Sequence, residues 1–445
     1  MPDLNIDQIA YKAVFGDGEA RAGARRTIHL EARARGAVSS SIYPLYMAIG
    51  RGDVPRRFTV PAFNIRALTY DAARALFRAA KRHDVGAFLF EIARSEIGYS
   101  EQRPAEYAAC VLAAAIREKF EGPVFIQGDH FQASAKKWVT PDGKAAETKA
   151  LESLIDEALA AEFYNIDIDT STLVDLDFPT RDEQQRANYE GTAHFTQYIR
   201  AREPHGVTVS IGGEIGEVGK YNTQPEEVRA YMSGLRRLLG DTTGISKISV
   251  QTGTSHGGVP LADGTIAQAK IDFEVLRSTT AICRGEYGIA GSVQHGASTL
   301  PEEVFNKFPE SDAVEIHLAT GFQNMILDAP TFPRAMKEEI RDFCFAHCTD
   351  ERKPGETDEQ FVYKTRKKAL GPFKQRMWDM GEEAKGPIIQ ELEAKFEFLM
   401  EKLGVFGTKD IVARHVPLSA GALPAYAAAS DALTAAATVD PNEGE

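Results

Sequence analysis

Residues 121–132 read EGPVFIQGDHFQ: a short apolar run, VFIQ, that wants to be a buried β-strand and stops at an acid beside an imidazole, Asp129 and His130. A parallel strand ordinarily ends in a bland turn, so this ending asks what lies at that end of the sheet. Working outward, seven further runs of the same kind follow one another between helical stretches. They are FTVPAFN (58–64), AFLFE (87–91), YNIDID (164–169), VTVSIGGE (207–214), ISVQTGTSH (248–256), GSVQH (291–295) and AVEIHLAT (313–320). Between them, segments such as AAETKALESLIDEALAAE place Leu151, Leu154, Ile155, Ala158 and Leu159 on one face of a 3.6-residue period, as a helix coating a sheet requires. TQPEEVRAYMSGLRRLL opens with Thr and Pro before Glu226 and Glu227, the acidic start that a helix N-terminus favours. Eight strands each followed by a helix predict an α/β fold, a (β/α)8 TIM barrel, whose active site lies at the C-terminal mouth of the strands.

The strand ends test that expectation, because chemistry should gather there. In order they supply Asn64, Glu91, Asp129 with His130, Asp167 with Asp169, Glu214, His256, His295 and Thr320. Three of the ten histidines fall at the ends of strands three, six and seven, distant in sequence and convergent on one mouth. Imidazole nitrogens joined by a carboxylate, with one position left for substrate, are what a catalytic Zn2+ site needs. His130, His256 and His295 are therefore candidate ligands for Zn2+, with Co2+ or Fe2+ as alternatives, and Glu214 and Asp167 are the candidate carboxylates.

Bulk composition excludes other classes. The 445 residues are 43% hydrophobic and 26% charged, enough for a large core, in one barrel with extensions or in two ordinary domains. The formal charge of -13, with no basic run long enough to follow a phosphate backbone, argues against a nucleic-acid partner. An anionic small substrate remains compatible, since a cleft focuses potential from a few cations and backbone amides. Four scattered cysteines suit a reducing cytoplasm, and the absence of a long apolar run predicts no membrane span. The stretch CFAHC (344–348) sits in an amphipathic helix without further ligands and reads as helical core.

VPAFNI, GDH, EIGEVG with TQPEEV, TGTSHG and QHGAS, in that order and strand context, resemble the metal-dependent class II fructose-bisphosphate aldolases and their tagatose-bisphosphate relatives. The resemblance runs from about 58 to about 378 and includes YKTRKKALGP. It implies that His130, His256 and His295 hold the zinc, that Asp129 is the acid beside the aldehyde oxygen, and that Asp167 and Glu214 hold a second or displaced metal position. It further implies that Gly257, Gly296 and Ser298 cradle one phosphate, and that Arg366 reaches the far phosphate from a neighbouring subunit, hence a homodimer or homotetramer. Metal would then spread the charge of an enediolate formed on carbon–carbon cleavage, in place of a Schiff-base lysine.

The sequence also departs from that family. The acid that handles the carbon-bound proton usually sits in a Gly-Gly-Glu loop after the position of Glu214; here the loop is shortened and Glu217 is the acid left in it. Where relatives read Asn-x-Asp-Thr, this chain has His317, Leu318, Ala319 and Thr320, which changes the groups facing the ketose hydroxyls. Glu91 stands where many relatives carry Ser, which leaves a tagatose bisphosphate or another ketose phosphate, or a non-catalytic barrel subunit, as alternatives to fructose 1,6-bisphosphate. The expected organisation is an N-terminal helical extension (1–57), the barrel (58–345), a C-terminal helical segment (346–416) and an Ala-rich tail (417–445).

Overall fold

Alternation along each strand decides where its side chains go, and here both faces of nearly every strand are buried. In the computed structural model, which describes residues 4–55, 57–216, 221–253 and 271–418, nine strands form. They are β1 (Ala37–Ser39), β2 (Val60–Asn64), β3 (Leu89–Ala93), β4 (Gly122–Gln132), β5 (Asn165–Asp169), β6 (Ser210–Glu214), β7 (Lys247–Ser249), β8 (Ser292–Gln294) and β9 (Glu315–Leu318). Strands β2 to β9 each pair in parallel with the next, and β9 pairs back onto β2. The result is the closed (β/α)8 barrel, coated by helices such as Thr69–Arg82, Pro141–Ala160 and Pro225–Leu239.

The N-terminal extension is not wholly helical. After the helices Ile6–Phe15 and Gly18–Ala34, β1 adds to the leading end of β4, Ala37 opposite Gly122 and Ser39 opposite Val124. The chain then crosses beneath the barrel as the helix Tyr43–Arg51. Ile42 N donates to Asn165 Oδ1 (2.9 Å) at the start of β5, which pins this helix under the N-terminal end of the strands. Gly50 has no room for a side chain, since a Cβ would lie 2.7 Å from the Gly288 carbonyl oxygen.

The C-terminal helix Glu382–Lys402 lies along Thr69–Arg82, with Phe396 edge-on to Phe63 and Phe322. Cys344 and Cys348 are buried with Phe361 in a small separate apolar cluster, as the helical-core reading requires. The tail beyond 418 lies outside the described residues.

The barrel interior is unusual. Such interiors are dominated by branched aliphatic side chains, yet the inward set here contains Glu91, Gln127, Asp167, Lys247 and Glu315, all at most 2% exposed. Lys247 Nζ donates to Gln127 Oε1 (2.8 Å), to Asp167 Oδ2 (2.9 Å) and to Glu315 Oε1, so the ammonium is satisfied by two carboxylates and an amide. The two glycines of the SIGGE strand make the room. A Cβ on Gly212 would overlap Asp167 Oδ1 and come within 2.9 Å of Lys247 Cε, while one on Gly213 would overlap the Tyr231 hydroxyl. Gly212→Ala is therefore expected to cost about 1–3 kcal/mol by overpacking, read as a lower denaturant midpoint; an unchanged midpoint would show that the ion group is not packed as described.

Candidate active site

Consecutive strand residues point to opposite faces, so Asp129 and His130 cannot both serve one site from a regular strand. A β-bulge resolves this. The β4–β5 register slips between Gly128, opposite Ile166, and Phe131, opposite Ile168, so three residues of β4 advance while β5 advances two. His130 takes up the extra residue with φ 40°, a left-handed backbone that is uncommon outside glycine. Gly128 fits beside it because a Cβ there would lie 2.5 Å from the Phe131 ring. Both the acid and the imidazole thereby turn into the mouth.

There they meet the ends of other strands. His130 Nδ1 lies 2.9 Å from Glu214 Oε1 and 3.1 Å from Asp169 Oδ2, and His295 Nδ1 lies 3.3 Å from the same Glu214 oxygen. The His130 and His295 rings are 4.4 Å apart, centre to centre. Asp129, His130 and His295 each offer a ligand atom within 4.8 Å of the other two, and so do His130, Asp169 and Glu214. Glu214 Oε1 is buried and approaches both imidazoles without a well-aligned hydrogen bond to either. Burial, and next the charge of Asp169, lift the Glu214 carboxyl to about 7. Two imidazoles around buried carboxylates are a donor set that fits a divalent cation of the zinc type.

The carboxylate beside His130 and Glu214 is Asp169, not the predicted Asp167. Both face inward from β5, but Asp167 sits two residues lower and is engaged by Lys247 at 2.9 Å. Asp169 stands at the rim, where it also accepts from Ser171 Oγ (2.7 Å). His256, Gly257 and Glu217 lie outside the described residues.

His317 and Asp129 form the other half of the mouth. His317 Nδ1 is 3.1 Å from Asp129 Oδ1 and 3.0 Å from Glu91 Oε2, while its Nε2 is 2.7 Å from Glu315 Oε1. Acidic partners flank both nitrogens: burial opposes charge on the ring, but Glu91 and Asp129 outweigh it and raise its pKa well above the ordinary value. His317, predicted to face the substrate, thus stands in the mouth with carboxylates at both ring nitrogens. For Asp129, burial favours the neutral acid, but His130 and His317 hold the carboxylate well below its usual range. Burial pushes Glu91 in the other direction, well above the usual carboxylate range, against the charge of His317.

The anion-binding expectations divide. Ser298 Oγ accepts from Gly321 N (3.1 Å) at the start of the helix Thr320–Leu327, and Gly296 has the left-handed φ of 68° that a tight loop after β8 needs. Arg366 is held within its own chain by Asp328 and by Asn324 Oδ1 (2.7 Å), beside the Tyr363 ring. The next residue, Lys367, packs over the Tyr99 ring instead, and burial, followed by the nearby Arg66 charge, lowers its pKa to about 8. Arg66 in turn pairs with Glu96 (2.6 Å) and donates to Asn64 Oδ1 (3.2 Å). Reasoning from sequence missed Lys367 and Arg66; the signal available was the run of cations at 366–368 and the Arg two residues after Asn64.

A cavity of about 500 Å3 lies outside the barrel, between the helices Thr69–Arg82 and Glu382–Lys402. Its arginines are neutralised by acids, Arg78 and Arg82 by Glu393 and Arg74 by Glu118, so it offers no focused potential. The convergent imidazoles and carboxylates lie instead at the mouth of the barrel.

The profile of the family described as "Fructose-bisphosphate aldolase class-II" matches residues 55–387. No curated protein matches this sequence. Among solved structures, a protein described as a probable tagatose 6 phosphate kinase from Sinorhizobium meliloti is 18% identical, with a TM-score of 0.52, over 85% of this chain and 98% of that one. The fructuronate-tagaturonate epimerase of Cohnella laeviribosi is 12% identical with a TM-score of 0.55, over 79% and 82%. The fructose-bisphosphate aldolase of Campylobacter jejuni is 16% identical with a TM-score of 0.46, over 84% and 96%. At such identities the first two share the fold and show no more than that.

Proposed function

The chain belongs to the class II fructose-bisphosphate aldolase family, which is generally metal dependent, and from that membership we propose that it reversibly cleaves a ketose 1,6-bisphosphate. Fructose 1,6-bisphosphate is the default substrate, with dihydroxyacetone phosphate and glyceraldehyde 3-phosphate as products. The observation that carries the reading is the bulge in β4, which delivers Asp129 and His130 together into a mouth shared with His295 and Glu214.

In this reading His130, His295 and His256 hold a divalent cation, Zn2+ by donor type, with Glu214 and Asp169 as the adjacent carboxylates. When bound, the cation supplies Lewis-acid polarisation of the ketose oxygens. The other roles belong to the chain itself. Asp129 holds and returns the proton of the oxygen that becomes the aldehyde, and the His317 imidazolium fixes that carboxylate in place. Acid and cation ligand are neighbours because the oxygens they serve lie on adjacent carbons. The carbon-bound proton falls to Glu217. Gly257, Gly296, Ser298 and Thr320 seat one phosphate through amides and hydroxyls, and Lys367 with Arg66 seats the other.

A second reading changes the sugar and keeps the chemistry. Glu91 and His317 pack against each other and against Asp129 where relatives present smaller or different groups to the ketose hydroxyls, which favours tagatose 1,6-bisphosphate or another ketose phosphate. Turnover on the two bisphosphates, before and after chelation and with Zn2+, Co2+ or Fe2+ restored, tests both. The expected result is cleavage of one sugar, about one cation per chain, and loss of activity on chelation. Silence on both sugars with no bound cation would leave a barrel subunit that does no chemistry.

A further inference from the structure

We propose that Tyr46, carried under the barrel by the helix Tyr43–Arg51, is a positioning residue for the chemistry at the opposite mouth, acting through Glu315 and His317 on Asp129. The inference rests on the aldolase reading for its kinetic consequence, but not for its geometry. Tyr46 is wholly buried, and its single hydroxyl proton is donated to Glu315 Oε2. Burial, and then the charge of Glu315, raise its pKa well above the ordinary value, so it remains a donor.

The other oxygen of Glu315 is shared by three donors, Lys247 Nζ, Gln127 Nε2 (3.0 Å) and His317 Nε2 (2.7 Å). With Tyr46 holding Oε2, the carboxylate cannot rotate, and Oε1 stays aimed at Nε2 of His317. The far nitrogen of that ring then presents its proton to Asp129 Oδ1, 3.1 Å away. Each link joins a buried carboxylate to a donor, and such charge-assisted bonds are shorter and stronger than neutral ones and reinforce one another in a low-dielectric interior. The clamp is rigid, since the bond of Ile42 to Asn165 and the close approach of Gly50 to Gly288 fix the helix to the barrel. Residue 46 also lies outside the span 55–387 matched by the family, so the clamp is supplied by this chain's own extension.

The test uses the full chain with Tyr46→Phe and, as a second variant, Glu315→Gln. Labelling the histidines with nitrogen-15 makes the His317 ring protons visible, and their loss in His317→Asn assigns them. Tyr46→Phe is expected to shift those resonances while leaving the surface His194 signal in place, and to lower kcat by about 10- to 100-fold, the worth of one hydrogen bond to a charged group. KM and bound cation should stay within twofold, a split that general loosening of the fold would not produce. Unshifted His317 resonances, or an unchanged kcat, would overturn the proposal. If the wild type cleaves no ketose phosphate, the aldolase reading fails while the resonances still decide the clamp. If Tyr46→Phe does not fold, a shift in Glu315→Gln, together with a slowly exchanging Tyr46 hydroxyl proton in the wild type, supports the clamp; absence of either overturns it.

Discussion

Lys247→Met is expected to lower the unfolding free energy by about 3–5 kcal/mol, the cost of removing one member of a buried ion group and stranding the others. Asp167 and Glu315 are both at most 2% exposed, and Lys247 is the cation they share. In the wild type burial favours protonated Glu315, but Lys247 outweighs it and lowers that carboxyl to about 2. Glu315 therefore stabilises the fold above the ordinary carboxylate pKa, and that contribution is lost as pH falls towards 2. Without Lys247 the sign for Glu315 reverses and joins that of Asp167, whose carboxyl burial already raises above the ordinary value. The stranded carboxyls keep protons that the unfolded chain has released, so the variant loses stability as pH rises through and above the carboxylate range. Urea titrations of both proteins across pH check this; the deficit should be greatest at neutral pH and shrink in acid. Adding Asp167→Asn and Glu315→Gln should recover part of it, because two buried carboxylates are then no longer left to share the His317 ring. A loss below about 1 kcal/mol, the worth of an exposed ion pair, would mean that solvent reaches the barrel interior.

Asp129→Asn is expected to lower kcat by roughly 10²- to 10⁴-fold, the usual contribution of a general acid–base group. The substitution keeps the shape and the acceptor oxygen facing His317, and leaves His130, His295 and Glu214 untouched. Cation content should therefore be retained, which separates loss of proton transfer from loss of the centre. His130→Ala, in contrast, should lose the cation together with activity. Steady-state kinetics beside elemental analysis distinguishes the two variants. An Asp129→Asn protein within about tenfold of the wild-type kcat would remove Asp129 from the reaction, since so small a loss falls below that range.

Several features were legible in the chain without coordinates. The eight apolar runs and their spacing imply the barrel, because a parallel sheet buries both faces and each return needs a helix. Glu214, His130 and His295 were readable as strand ends, since the mouth collects whatever the strands end in. A lysine in SKISV and a glutamate in AVEIHL were also visible signals: charges inside otherwise buried strands must find one another, as Lys247 and Glu315 do. Burial of the two cysteines of CFAHC followed from helical period alone.

Height, rotation and long-range docking were not legible. Asp167 and Asp169 share a face of β5, and only the tilt and stagger of the barrel decide which of them reaches His130 and which meets Lys247. Arg366 and Lys367 are adjacent cations in a 3-10 turn, where one residue's step turns a side chain by about 120°, so packing chose which faces Arg66. The left-handed backbone at His130 that aims Asp129 and His130 at one point is a property of the β4–β5 pairing, not of GDH alone. Tyr46 reaches Glu315 only because β1 and the following helix fold beneath the strands, a contact across 269 positions of sequence. Periodicity and strand-end chemistry are local and survive in the sequence, whereas the meeting of side chains from distant strands exists only once the barrel has closed.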